Sequence, residues 1–152
     1  MILRNTLRLA VMSVVLLGVA AITSAKAEDT PLSLSGTTVV SADDVTKAQA
    51  SGVMVIDVRV ASEYADAHIK GAVSVPYREK SEKTLKYDPS VDEFNLAKLP
   101  ADKATPVVIY CNGPECWKSY KASVVAVKAG YSHILWYRGG FPEWKAKSLP
   151  TE

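Results

Sequence analysis

Cysteine is scarce in this chain of 152 residues: there are two, Cys111 and Cys116. A disulfide-stapled scaffold spreads several pairs along its sequence, so that class is excluded. Histidine is equally scarce. Neither His68 nor His133 stands at a zinc-ligand spacing from the cysteines, so no metal is expected, and nothing in the sequence calls for another cofactor. Charge of one sign is also lacking, with 18 bases against 16 acids. Three of those bases, Arg4, Arg8 and Lys26, fall within residues 1–27, which leaves 15 bases against the 16 acids. A nucleic-acid partner needs a clustered basic face, and none is expected here. No internal repeat or low-complexity tract follows the first residues.

A long hydrophobic run is missing too. The uncharged apolar stretch from Leu9 to Ile22 falls short of the ~20 residues that a membrane-spanning helix needs. With Arg4 and Arg8 before it and Ala25-Lys26-Ala27 after it, the stretch has the basic start, apolar middle and small-residue end of an export signal. The expectation is a leader over residues 1–27, cleaved after Ala27. The protein is then exported, periplasmic if the source is Gram-negative, and without a stable membrane span once cleaved. An uncleaved anchor is the alternative. Residues 28–152 can bury a real core without staples.

Glu28 to Ser35 is polar and reads as a flexible start to a domain over residues 36–150. Thr37–Val40 is a short β-branched run. Ser41 is the expected N-cap of a helix through Ala50, with Asp43 and Asp44 at its positive end. Val53–Val58 is continuously apolar up to Asp57, as in a strand buried on both faces. A helical turn at Ser62–Tyr64 and a short strand leading to Pro76 follow. Tyr77 to Pro89 reads as a surface excursion, and Ser90-Val91-Asp92-Glu93 as a capping box before Phe94–Ala97. Pro106–Tyr110 is the clearest strand. Trp117–Ala129 reads as a helix stopped by Gly130, His133–Tyr137 as a last strand, and Pro142–Lys147 as a final short helix. Strands alternating with helices predict an α/β domain with a mainly parallel sheet.

Such sheets bind ligands beyond the carboxyl ends of their strands, and Cys111 stands at such an end. The loop Asn112-Gly113-Pro114-Glu115-Cys116 then leads to Trp117, Lys118 and Ser119 at the start of a helix. Backbone N–H groups turned inward there form an anion cradle beside the helix's positive end, a field that favours the nucleophilic thiolate. Lys118 adds a cation and Ser119 a hydroxyl. The bland alternative for Cys111 is a buried, unreactive thiol. Cys116 is either a thiol that resolves Cys111 into a disulfide or a loop-packing residue.

Asp57-Val58-Arg59, Glu63-Tyr64, His68-Ile69-Lys70-Gly71-Ala72 and Pro76 together resemble the first signature of rhodanese domains, and Gly139-Gly140-Phe141-Pro142-Glu143-Trp144 is similar to their closing element. The resemblance covers residues 36–150. It implies a three-layer fold with a five-stranded, mainly parallel sheet flanked by helices. It also implies that Cys111, ending the fourth strand, takes a sulfane sulfur as a persulfide and passes it to a thiophilic acceptor. Asp57, Arg59 and His68 are then framework. The sequence departs from the pattern Cys-x-x-Gly-x-Arg-Ser of single-domain sulfurtransferases. Its loop is two residues longer, and Lys118 replaces the arginine; lysine supplies charge without the planar fork. Pro114 removes an N–H and Glu115 adds a negative charge. Longer loops in the superfamily resemble those of phosphatases, which end on an arginine absent here.

The leading expectation is an exported sulfurtransferase or persulfide carrier. Its partners are a small sulfur-containing anion or a protein persulfide donor or acceptor, with Arg78 and Lys80 as candidate rim residues. The alternative is a redox or binding module without turnover. There Cys111 and Cys116 form a reversible disulfide, and Tyr77, Trp117, Tyr120 or Trp136 docks a partner.

Overall fold

The computed structural model describes residues 28–152, and the expected leader lies outside them. Among the described residues five strands alternate with four α-helices. They are β1 (Thr37–Val39), α1 (Ala42–Ala50), β2 (Met54–Asp57), α2 (Ala61–Asp66), β3 (Val73–Ser74), β4 (Val107–Tyr110), α3 (Trp117–Lys128), β5 (Ile134–Tyr137) and α4 (Gly140–Ala146). The strand order is β1-β5-β4-β2-β3, and every pairing is parallel. The expected α/β class and five-stranded parallel sheet are what the chain forms.

Strand β4 runs through the middle, pairing Val107 with Met54 on one side and Ile134 on the other. All of its residues are buried. Successive side chains leave a strand on opposite faces. Val107 and Ile109 therefore pack with Ala122 and Ala126 of α3, while Val108 and Tyr110 pack with Val45 of α1 and with Phe141 and Trp144 of α4. A continuous apolar run is what two cores, one on each face, require. Ser41 caps α1 as expected: its hydroxyl accepts the Asp44 N–H at 3.2 Å, and its own N–H donates to Asp44 Oδ2 at 3.0 Å.

The stretch between β3 and β4 differs from its sequence reading. No capping box forms at Ser90. A short 3-10 turn, Pro89–Val91, is capped by Asp88, whose carboxylate accepts the Ser90 N–H at 2.9 Å. Proline suits the first position of a helical turn, so Asp88 outcompetes Ser90 as the cap. Asp92 turns the other way and accepts from Tyr77 Oη, the Ser81 hydroxyl and the Lys80 and Ser81 N–H groups, at 2.6–2.8 Å. Glu93 pairs backbone to backbone with Arg78. The expected helix at Phe94–Ala97 shrinks to a 3-10 turn, Leu96–Lys98, capped by Asn95.

Nor is the excursion after Tyr77 merely a surface loop. Lys121 of α3, fully buried, reaches into it. Its Nζ donates to Ser81 Oγ at 2.8 Å and to the Glu82 carbonyl at 2.9 Å, and it lies 2.8 Å from Glu79 Oε2. The excursion thereby covers a face of α3 that would otherwise meet water.

Candidate active site

Cys111 directly follows β4, and α3 begins six residues later. Between them Gly113 takes φ +98°, a conformation that costs glycine little, and its carbonyl accepts the Cys116 N–H at 3.0 Å. The tight turn brings the two cysteines together. They are joined as a disulfide, with Cα atoms 6.3 Å apart. Cys111 is 1% exposed, whereas Cys116 is only half-buried.

Two groups of Ser119, in the first turn of α3, converge on Cys111 Sγ: the hydroxyl oxygen at 3.1 Å and the N–H at 3.4 Å. Trp136 of β5 sets the direction of that hydroxyl. Its indole N–H can only donate, and it donates to Ser119 Oγ at 3.0 Å. With that bond accepted, the serine hydroxyl is free to donate to a Cys111 thiolate, while the Cys116 carbonyl oxygen lies 3.2 Å from the same sulfur. Cys111 Sγ thus sits at the positive end of a twelve-residue helix with two donors aimed at it.

The rest of the loop is held from several sides. The Cys111 carbonyl accepts the Phe141 N–H at 2.8 Å. Gly140, at φ +64°, backs this contact so closely that a Cβ there would fall 2.3 Å from the Cys111 carbonyl oxygen and 2.6 Å from the Gly113 nitrogen. Asn112 donates to Glu63 Oε1, tying the loop to α2. The Pro114 carbonyl accepts both the N–H and the hydroxyl of Thr30 at 2.8 Å. Arg138, just past β5, donates in turn to the Thr30 hydroxyl and carbonyl. Trp117 donates its indole N–H to the Glu28 carbonyl at 2.8 Å. Glu28 and Thr30, in the stretch expected as a flexible start, are therefore strapped across the loop, and Thr30 is buried, whereas Leu32 stays exposed.

Lys118 is half-buried and lines two clefts beside the loop. One, of about 320 Å³, is bordered by Cys116, Lys118, Glu115, Glu79 and Lys83. The other lies against Tyr77, Arg78 and Glu79. Arg78 and Lys80 both pair with Glu93, at 3.4 and 2.8 Å, on the exposed surface.

Asp57 and Arg59 form a buried bracket behind the loop. Arg59 Nη2 lies 2.6 Å from Asp57 Oδ2, donates to the Ala67 carbonyl at 2.7 Å, and stacks its guanidinium 4.2 Å from the Phe141 ring. Tyr110, the residue before Cys111, donates its hydroxyl to Asp57 at 2.6 Å. Burial, and then Asp57, push the Tyr110 phenol far above its ordinary range, so it stays a donor. His68 stacks on Tyr64, donates from Nδ1 to the Tyr64 carbonyl at 2.8 Å, and lies 3.4 Å from Glu152 through Nε2. These contacts hold α2 and the C-terminus together.

The aromatic residues considered for docking are core instead. Tyr77, Trp117, Tyr120 and Trp136 are at most 9% exposed, because the strap and the excursion cover them. Thr30, Glu79, Asp92, Lys121 and Arg138 were not singled out from the sequence. Only Arg138 carried a signal, its place at the carboxyl end of a strand beside the double glycine. Among the described residues no helix is long and apolar enough to cross a membrane.

The family model of the rhodanese-like domain matches residues 41–147. The chain is similar to thiosulfate:glutathione sulfurtransferase of Saccharomyces cerevisiae, 32% identical over 60% of this chain and 64% of that one. It is also similar to the thiosulfate sulfurtransferase PspE of Escherichia coli, 30% identical over 52% of this chain and 62% of that one. The alignments thus span less than two thirds of these relatives. A crystal structure of a Bacillus halodurans protein shares the fold, with a TM-score of 0.57 and 24% identity over 76% of each chain.

Proposed function

The chain belongs to the rhodanese-like domain family, and we propose that it works as a sulfurtransferase or persulfide carrier with Cys111 as its nucleophile. One observation carries the reading: the hydroxyl and N–H of Ser119 converge on Cys111 Sγ at the start of α3. In the reduced protein those donors favour the thiolate, which is the reactive form, and they suit a persulfide anion for the same reason. Attack of Sγ on the outer sulfur of a sulfane donor forms an S–S bond. The rest of the donor leaves with the electron pair, as sulfite when the donor is thiosulfate. A thiol acceptor then takes the outer sulfur. The names of the relatives favour thiosulfate as donor and glutathione as one acceptor, and a protein persulfide would enter by the same chemistry. Lys118, lining both neighbouring clefts, supplies charge for a small sulfur-containing anion.

The reading as a partner-binding module without turnover loses its docking surface, since the aromatics it needs are buried. The test is transfer of sulfur from thiosulfate to glutathione by the reduced protein. Cys111→Ser should reduce transfer to background, and a variant that transfers as well as the parent overturns the reading.

The same proposal places the protein outside the cytoplasm, in the periplasm if the source is Gram-negative. Its support is the pattern of residues 1–27. The mass of the protein recovered from its native compartment checks this, with Glu28 expected as the first residue.

A further inference from the structure

Cys116 is the feature of this site that a simple sulfur carrier does not need. It occupies a loop two residues longer than the sulfurtransferase pattern, and the Gly113 turn presents its Sγ to the inner sulfur of Cys111. Cys111 is 1% exposed, whereas Cys116 is half-buried and borders the 320 Å³ cleft. An outside thiol therefore has easier access to Cys116 than to the sulfur on Cys111.

We propose, resting on the sulfur-carrier reading above, that Cys116 discharges the Cys111 persulfide, so that the protein releases its sulfur as hydrosulfide and needs a dithiol reductant to work again. The Cys116 thiolate attacks Sγ of Cys111–S–SH. The Cys111–Cys116 bond forms, the bond to the outer sulfur breaks, and that sulfur leaves with the electron pair and its proton as HS⁻. The two cysteines are oxidised and the sulfane sulfur is reduced, so this step needs no other oxidant.

Reopening the loop has a preferred direction. In thiol–disulfide exchange the better leaving group is the more stabilised thiolate, and access decides which sulfur is attacked. Both criteria select attack on Cys116. Its sulfur faces the cleft, and the thiolate expelled is Cys111, received by the Ser119 hydroxyl and N–H. The first thiol of the reductant forms a mixed disulfide with Cys116. Its second thiol then releases Cys116 and leaves with the reductant's own disulfide. The partner class is accordingly a dithiol, small or protein-borne, rather than a monothiol acceptor alone.

The test is a single turnover of the full protein, reduced, freed of reductant and mixed with excess thiosulfate without added thiol. Sulfide is measured alongside intact mass. The parent should release one sulfide per chain and end two hydrogens lighter than its reduced form. Cys116→Ser and Cys116→Ala should instead hold the mass of one added sulfur and release none. If the parent keeps the added sulfur as stably as these variants and releases no sulfide, the discharge is overturned and the carrier reading stands. If neither variant gains sulfur, the carrier reading itself falls.

The direction of reopening is read separately, by treating the disulfide form with glutathione and iodoacetamide. The expected product carries glutathione on Cys116 and the alkyl group on Cys111, located by fragmentation of the peptide that holds both. Glutathione on Cys111 overturns the assigned direction.

Discussion

At the scale of single residues, the chemistry depends on one hydrogen atom. Ser119 has one proton to give, and with Trp136 already donating to its oxygen that proton can turn to a Cys111 thiolate, whose Sγ lies 3.1 Å away. A hydrogen bond to a charged group contributes about 1.5–3 kcal/mol, and 1.4 kcal/mol is a factor of ten. Ser119→Ala should therefore slow sulfur loading by roughly tenfold or more. It should also move the pH profile of Cys111 alkylation upward, read in a Cys116→Ser background so that one thiol reports. Trp136→Phe keeps the ring in the core but frees Ser119 to turn, and should shift the profile in the same direction by less. A profile unchanged by Ser119→Ala would assign the serine to packing. The position of Cys111 and Ser119 was legible from a strand that ends where a helix is about to start. The indole that orients the serine was not, because Trp136 lies on another strand, and periodicity marks it only as apolar.

At the scale of elements, the segment between β3 and β4 behaves as a cover built on two buried charges. Asp92 gathers four donors and Lys121 four acceptors. Burial alone would raise the Asp92 carboxyl. Hydrogen bonds from the Ser81 hydroxyl, from the Lys80 and Ser81 N–H groups and from Tyr77 overcome it and hold the pKa at about 2. A carboxyl lowered by folding stabilises the protein above its unfolded pKa and loses that contribution as pH falls through its folded value. Part of the stability should thus disappear between about pH 4 and pH 2. Asp92→Asn should flatten that limb in denaturant unfolding measured against pH. For Lys121→Ala the expected cost is larger, about 3–5 kcal/mol, since it leaves Glu79 buried without its cation. Denaturant midpoints measure it, and a change below 1 kcal/mol would show that the pair acts as an exposed one. The strands and the cap of α1 could be read in sequence because both are local: a β-branched or apolar run, and a serine three residues before an aspartate. The cover could not. Lys121 reads as the polar face of a helix, and its partners lie about forty residues earlier.

At the scale of the whole molecule, the loop is braced by segments from the start and the end of the described residues. Gly140 of the C-terminal helix backs it from one side. The strap at Glu28 and Thr30 closes it from the other, held by Arg138 and Trp117. Thr30 lies outside the residues matched to the family, 41–147, and its contacts to the loop reach the site from before β1. Five hydrogen bonds link the strap to the loop, Arg138 and Trp117. At a net contribution of about 1 kcal/mol each after exchange with water, its loss should cost a few kcal/mol. A protein beginning at Ser35 keeps β1 and the whole sheet. It should therefore retain its far-ultraviolet circular dichroism while its melting temperature falls, and Trp117 emission should shift to the red as the indole meets water. Arg138→Ala, which leaves the chain length intact, should reproduce part of both changes. If the shortened protein melts like the parent with unchanged tryptophan emission, the strap rests on the loop without bracing it. If both fall together, the setting of Cys111 includes residues more than eighty positions before it.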